Sequence, residues 1–152
     1  MAFEVGGMAP DFELKNSEGE LKKLSDWRGE RVVLFFYPKA ATPGCTRQAC
    51  GLRDNYETIE AGNGTVIGIS PDEPEALATW KAEENFPFAL LSDPGHEVAE
   101  MYGAWGEKSM YGKKYMGVIR SHFVIDAEGR FEDVQVKISP KKSVEKAVKM
   151  FQ

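Results

Sequence analysis

The chain holds two cysteines, Cys45 and Cys50, and both fall in the segment TPGCTRQAC that begins at Thr42. A thiol does its chemistry as the thiolate, whether as nucleophile, redox partner or metal ligand. What precedes Cys45 favours that form. Thr42 suits a helix N-cap, and Pro43 suits the first helical position, where a missing N–H costs nothing. Cys45 then falls in the first turn, about where a capping-box Glu would place its carboxylate. Backbone N–H groups without intrahelical acceptors and the positive end of the helix dipole attract an anion there. The alternative is structural: Cys45 shares a helix face with Ala49, Leu52 and Tyr56, and would then be a small apolar group packed beneath it.

The elements that must position this segment are legible as apolar runs alternating with helical periodicity, the mark of an α/β domain. RVVLFFY (Arg31 to Tyr37) and TVIGIS (Thr65 to Ser70) are apolar nearly throughout, as central strands covered on both faces are. Further strands are expected at Phe88 to Ser92, Ser121 to Asp126 and Phe131 to Lys137, the last two joined by a turn at Gly129. Residues Asp11 to Asp26 read as an N-terminal β-hairpin. Helices fit Pro43 to about Ile59, Glu73 to Asn85, His96 to Tyr102 and Pro140 to Phe151. Gly103 to Gly117 reads as one long irregular loop, a length that often carries function. Trp80, Trp105, Tyr111 and Tyr115 are expected to be core or loop-packing aromatics. Lys141, Lys142, Lys146 and Lys149 read as a solvated helix face.

With 152 residues the chain is expected to form one domain, 1–152, large enough to enclose a hydrophobic core. A formal charge of -5 argues against a nucleic-acid or anionic-membrane surface, which leaves small molecules and other proteins as expected partners. The N-terminal stretch has no leader pattern and no apolar run reaches transmembrane length, so a cytoplasmic location is expected. Two cysteines are too few for a disulfide-stapled scaffold, which turns attention to redox or metal roles.

The segment FFYPKAATPGCTRQAC resembles the active-site region of the peroxiredoxins, specifically the peroxiredoxin Q or bacterioferritin comigratory protein group. APDFEL, VIGIS with a following Pro, FALLSDP, YGAWGEKSMYGKKYMGVIRSHFVID and the closing helix carry the resemblance over nearly the whole chain. It implies a thioredoxin-like fold, a central mixed sheet flanked by helices. It also implies reduction of hydrogen peroxide or organic hydroperoxides by a thiol, recycled by thioredoxin or a similar dithiol, with no cofactor and no metal. Position by position, the resemblance makes Cys45 the peroxidatic and Cys50 the resolving cysteine, and carries the group's Thr, Pro and Arg to Thr42, Pro43 and Arg120. Ala40 and Ala41 stand where Asp and Asn are expected, and His122 where Thr is expected. A monomer is expected, with a weak dimer the alternative.

The chemistry needs these residue types. Negative charge moves from sulfur to the departing oxygen when a thiolate attacks a peroxide. Complete ionisation gains a thiol only ~30-fold at neutral pH, and nucleophilicity falls with basicity. Donors aimed at the O–O bond must do more: the Arg120 guanidinium, the Thr42 hydroxyl and the N–H groups of Gly44 and Cys45, each worth ~2 to 4 kcal/mol if preorganised. Pro43 would shield the oxidised sulfur. His122 shares a strand face with Arg120 by the two-residue period, and is expected to be structural and outside the site.

Two other readings remain. Cys45, Cys50 and His122 would make a metal site, although the cysteine spacing chelates poorly. A dithiol oxidoreductase would want two residues between its cysteines. In a regular helix, residues five apart have Cα atoms roughly 8.5 to 9 Å apart, whereas a disulfide needs less than about 7 Å. A helix holding both cysteines must therefore unwind, over roughly Pro43 to Leu52, before they bond.

Overall fold

A computed structural model describes residues 3–152. Met1 and Ala2, part of the N-terminal stretch and the 1–152 domain read above, lie outside the described residues. In chain order the elements are β1 (Glu13–Asn16), β2 (Leu21–Lys23), a 3-10 turn (Leu24–Trp27), β3 (Arg31–Phe36), α1 (Pro43–Asp54), α2 (Tyr56–Ala61), β4 (Gly64–Ser70) and α3 (Pro74–Glu84). Then come β5 (Ala89–Ser92), α4 (Glu97–Met101), β6 (Trp105–Met110), β7 (Lys113–Val118), β8 (Ser121–Ile125), β9 (Phe131–Val136) and α5 (Pro140–Met150).

Seven strands form one mixed sheet in the order β2-β1-β5-β4-β3-β8-β9. The centre is parallel, β3 with β4 and β4 with β5, and antiparallel pairs flank it. The two-residue period of β3 divides its apolar run between two cores. Val32, Leu34 and Phe36 face a cluster with Tyr102, Phe123 and Phe131, closed by α4. Val33, Phe35 and Tyr37 face Cys45, Leu52, Trp80, Phe86 and Ala147, closed by α1, α2, α3 and α5. Burying each large side chain contributes about 1.5–3 kcal/mol, and β4 is buried at every position, so the sheet centre is the rigid floor on which α1 rests. This is the thioredoxin-like arrangement that the resemblance implied.

Three expectations need correction. The helix expected from Pro43 to Ile59 is two helices, because the backbone leaves helical geometry at Asn55 (φ -109°, ψ 13°) while the Asn55 side-chain amide donates to the Gly51 carbonyl at 2.8 Å. The side chain takes over an acceptor that a continuing backbone would use.

The expected irregular loop from Gly103 to Gly117 is mostly a β-hairpin, β6 paired with β7 from Trp105↔Val118 to Met110↔Lys113. Its two-residue turn, Tyr111–Gly112, has φ of 52° and 79°, the double positive φ that matches the twist of a hairpin. Both strands are largely solvent-exposed, so no apolar alternation marked them. Tyr111, expected to pack, is 99% exposed at the tip, whereas Trp80 is buried and Trp105 stacks on His96 with centroids 3.7 Å apart.

The third concerns Thr42, whose backbone caps α1 in an extended conformation without a side-chain capping bond.

Candidate active site

Cys45 is the third residue of α1, fully buried against the sheet. The first helical hydrogen bond is Thr46 N–H to the Thr42 carbonyl at 2.8 Å. The N–H groups of Gly44 and Cys45 precede it and so have no acceptor within the helix. Arg120, just before β8, extends its guanidinium to this turn: Nη2 donates to Cys45 Sγ at 3.3 Å, and Nη1 donates to Gln48 Oε1 at 2.7 Å. Two nitrogens of one planar group are therefore committed to two acceptors one turn apart on α1. Gly44 allows the approach, since a Cβ there would lie 3.2 Å from Arg120 Nη2.

The Thr42 hydroxyl donates to the Lys39 carbonyl at 2.7 Å. That bond closes the turn in which Ala41 sits at φ 66°, and in it the hydroxyl commits its proton to Lys39. Its oxygen lone pairs remain as acceptors. Ala40 N–H donates to Asp72 Oδ2 at 2.7 Å, which ties the same turn to the end of β4. Pro43 is exposed beside the thiol.

Cys50 lies on α1 with Cys45, and both thiols are free. Its Sγ donates to Glu84 Oε1 on α3 at 3.4 Å. Arg53 Nη1 in turn donates to the Glu84 carbonyl oxygen at 2.6 Å. Burial first, and the bond to the Glu84 carboxylate second, push the Cys50 thiol up from its ordinary range. The resolving candidate is thus kept protonated and held against α3 while α1 is folded.

Three participants escaped sequence reasoning, the first being Gln48, the second acceptor of the Arg120 guanidinium. Glu84 carries no local signal, because its contact with Cys50 comes from the packing of α3 against α1. Lys108, on β6, donates to the Val118 carbonyl at 2.9 Å. Burial, and then the Arg120 charge, push its ammonium below the ordinary lysine range, while Cys45 opposes this. Lys108, Arg120 and Lys137 line a cavity of about 530 Å³ together with Ile119 and Ile138. The β6–β7 hairpin walls the cavity, so missing the hairpin meant missing Lys108. His122 shares the Arg120 face, as the strand period predicts, and its ring reaches Ser143 and Asp133 rather than either cysteine.

Residues 5–134 match the AhpC/TSA family. The Peroxiredoxin Bcp of Escherichia coli (strain K12) is 50% identical over 131 residues, which cover 86% of this chain and 84% of that protein. The crystal structure of Peroxidoxin BcpB from Mycobacterium tuberculosis superposes with a TM-score of 0.87 at 34% identity, covering 99% of this chain and 97% of that one. A structure of the Xanthomonas campestris bacterioferritin comigratory protein, concerned with its alkyl peroxide reduction activity, gives a TM-score of 0.85 at 26% identity over 92% and 89% of the two chains. Sequence and fold therefore agree: the chain belongs to the AhpC/TSA family and, within it, to the Bcp/peroxiredoxin Q type of peroxiredoxin, thiol peroxidases that reduce peroxides.

Proposed function

We propose that Cys45 is the peroxidatic thiol of this peroxidase and Cys50 its resolving thiol, all within one domain acting as a monomer. Peroxide, as hydrogen peroxide or an organic hydroperoxide, enters from the cavity walled by Arg120 and meets the sulfur at the start of α1. The Cys45 thiolate attacks one peroxide oxygen, the O–O bond breaks, and the second oxygen leaves as alkoxide or hydroxide and takes up a proton. Cys45 is oxidised to the sulfenic acid and the peroxide is reduced to alcohol or water. Arg120 and the Gly44 and Cys45 N–H groups stabilise the charge that develops on the leaving oxygen. Thr42 accepts the proton-bearing end of the peroxide, and Pro43 restricts water at the oxidised sulfur.

Resolution follows when α1 unwinds. The Cys50 thiolate attacks the Cys45 sulfur, hydroxide leaves and is protonated to water, and a disulfide forms within one chain. Thioredoxin or a similar dithiol of a reducing compartment, the cytoplasm, then exchanges with that disulfide and restores both thiols. The observation that supports this reading most is the single guanidinium committed to both Cys45 Sγ and Gln48 Oε1. A mere salt-bridge arginine would have a carboxylate partner; this one faces a thiol at a helix N-terminus.

The test separates the two thiols. Cys45→Ser should abolish peroxide consumption coupled to a thioredoxin system, and Cys50→Ser should turn over once and hold a sulfenate that dimedone traps at Cys45. Dimedone label on Cys50 in Cys45→Ser, with none on Cys45 in Cys50→Ser, would reverse the assignment. Peroxide consumption at the parent rate in Cys45→Ser would discard it.

A further inference from the structure

The hydrogen bonds that hold Arg120 continue beyond Gln48. Gln48 Nε2 donates to Ser143 Oγ on α5 at 2.8 Å, Ser143 Oγ lies 2.9 Å from His122 Nδ1 on β8, and His122 Nε2 lies 3.1 Å from Asp133 Oδ2 on β9. Gln48, Ser143 and His122 are all fully buried. Gln135 Nε2 donates to the other oxygen of Asp133 at 2.9 Å. The carboxyl of Asp133 is held below its ordinary range, first by the bond from His122. A buried amide, hydroxyl and imidazole in contact are more than packing requires, since apolar side chains would fill the space with no polar group to satisfy.

With a neutral imidazole, the two ends fix the direction of every bond between them. Guanidinium only donates and carboxylate only accepts. Arg120 therefore requires the Gln48 oxygen, which turns the Gln48 nitrogen to Ser143. Ser143 accepts from it and gives its own proton to His122 Nδ1, and His122, with its proton on Nε2, donates to Asp133. All the bonds run one way from cation to anion, so each polarises the next. A threonine, expected at 122 from the resemblance, carries its hydroxyl on Cβ and is too short to span from Ser143 to Asp133. Two ring nitrogens on opposite sides of an imidazole do so.

We propose that His122 is a positioning residue for the peroxide step: with Asp133 and Ser143 it locks the Gln48 amide in the orientation that presents oxygen to Arg120, and so fixes the guanidinium against Cys45. Without that lock the amide can turn its nitrogen toward the cation, and the guanidinium loses its second anchor. The relay also crosses the segment that must unwind, because Gln48 lies between Cys45 and Cys50. Forming the disulfide breaks both bonds of its amide, so the same relay holds α1 folded until oxidation. Breaking it should act oppositely on the two steps, slowing attack on peroxide and hastening disulfide formation.

The inference rests on Cys45 being the peroxidatic thiol, and the experiment keeps the two apart. In Cys50→Ser dimedone should label Cys45; no label there, with label on Cys50 in Cys45→Ser, would overturn both the assignment and the inference. With Cys45 labelled, the variants decide. His122→Phe fills the space without hydrogen bonds, Ser143→Ala breaks the relay from α5, and His122→Asn restores an acceptor close to where Nδ1 stood. Stopped-flow oxidation by hydrogen peroxide should slow roughly tenfold in His122→Phe and Ser143→Ala, a loss of about 1.4 kcal/mol of transition-state stabilisation. Disulfide formation should quicken in both. His122→Asn should recover most of the peroxide rate. Alkylation of Cys45 by chloroacetamide, which needs the thiolate but no donor to a leaving oxygen, should change much less than the peroxide rate. Parent peroxide rates in both variants would overturn the inference, as would equal loss of all three rates, which a merely structural role predicts. If His122→Phe does not fold, Ser143→Ala decides alone.

Discussion

Arg120→Lys keeps the charge beside Cys45 and removes the planar fork. In the parent, Nη2 reaches Cys45 Sγ at 3.3 Å and Nη1 reaches Gln48 Oε1 at 2.7 Å. A lysine ammonium is one nitrogen on a flexible stem and cannot occupy both positions, so at least one charge-assisted hydrogen bond is lost. Such bonds contribute about 1.5–3 kcal/mol. If the lost bond is the one to Gln48, the cation is free to wander from the sulfur and from the leaving oxygen. If it is the one to sulfur, the stabilisation goes directly. Either way, at about 1.4 kcal/mol per factor of ten, the second-order rate of Cys45 oxidation should fall roughly 10- to 150-fold. The assay is stopped-flow oxidation of the reduced protein over a range of peroxide concentrations, with circular dichroism to show that α1 still forms. A folded Arg120→Lys that reacts with peroxide at the parent rate would refute the reasoning, and Arg120 would be a structural residue.

The turn before the site makes a separate prediction. Ala41 has a left-handed backbone at φ 66°, which costs an L-residue about 1–2 kcal/mol, whereas glycine in its place costs about 0.5–1 kcal/mol of chain entropy. Ala41→Gly should therefore raise stability by about 0.5–1 kcal/mol, read as a higher urea midpoint; a lower midpoint would contradict it. A Cβ at Gly51 would lie 2.7 Å from Val144 Cγ2, so Gly51→Ala should overpack the α1–α5 contact and destabilise by about 1–3 kcal/mol in denaturant unfolding. Cys50 provides the pH dependence. Its folded-state value is raised, so folded α1 favours the protonated thiol; that stabilisation is complete below the ordinary cysteine range and is lost as pH rises through the raised value. Opening of α1 should accordingly become easier at alkaline pH, seen as faster disulfide formation. Glu84→Gln, by removing the carboxylate, should shift Cys50 alkylation to lower pH.

Much of this was legible in the sequence because local chemistry and tertiary context agree there. Pro43 at the first helical position and the apolar run of β3 both point to a helix start above a sheet, and the structure has Cys45 there. The period of two correctly put Arg120 and His122 on one side of β8. What stayed hidden depends on packing between distant segments. The β6–β7 hairpin is exposed on both sides, so burial wrote no alternation into it, and its turn residues, Tyr111 and Gly112, are not the common Asn-Gly pair. Asn55 breaks the helix through its own side chain, which propensity does not foresee. Glu84 and Ser143 meet α1 from α3 and α5, and no spacing along the chain connects them to Cys50 or Gln48. Thr42 was placed correctly as the backbone cap, but its side chain turns to the Lys39 carbonyl, a contact that helix-cap patterns do not encode.

The central claim is that α1 holds Cys45 and Cys50 apart until oxidation and then unwinds to join them. Both residues lie within the regular helix Pro43–Asp54, where their Cα atoms stand roughly 8.5–9 Å apart, beyond the reach of about 7 Å that a disulfide allows. Hydrogen exchange across Cys45 to Leu52, measured in the reduced and the peroxide-treated protein with non-reducing mass analysis of the same samples, tests this directly. The account predicts protection of this segment in the reduced state, its loss after oxidation, and a mass for one chain carrying an internal disulfide. Equal protection in both states, or a disulfide joining two chains, would contradict it.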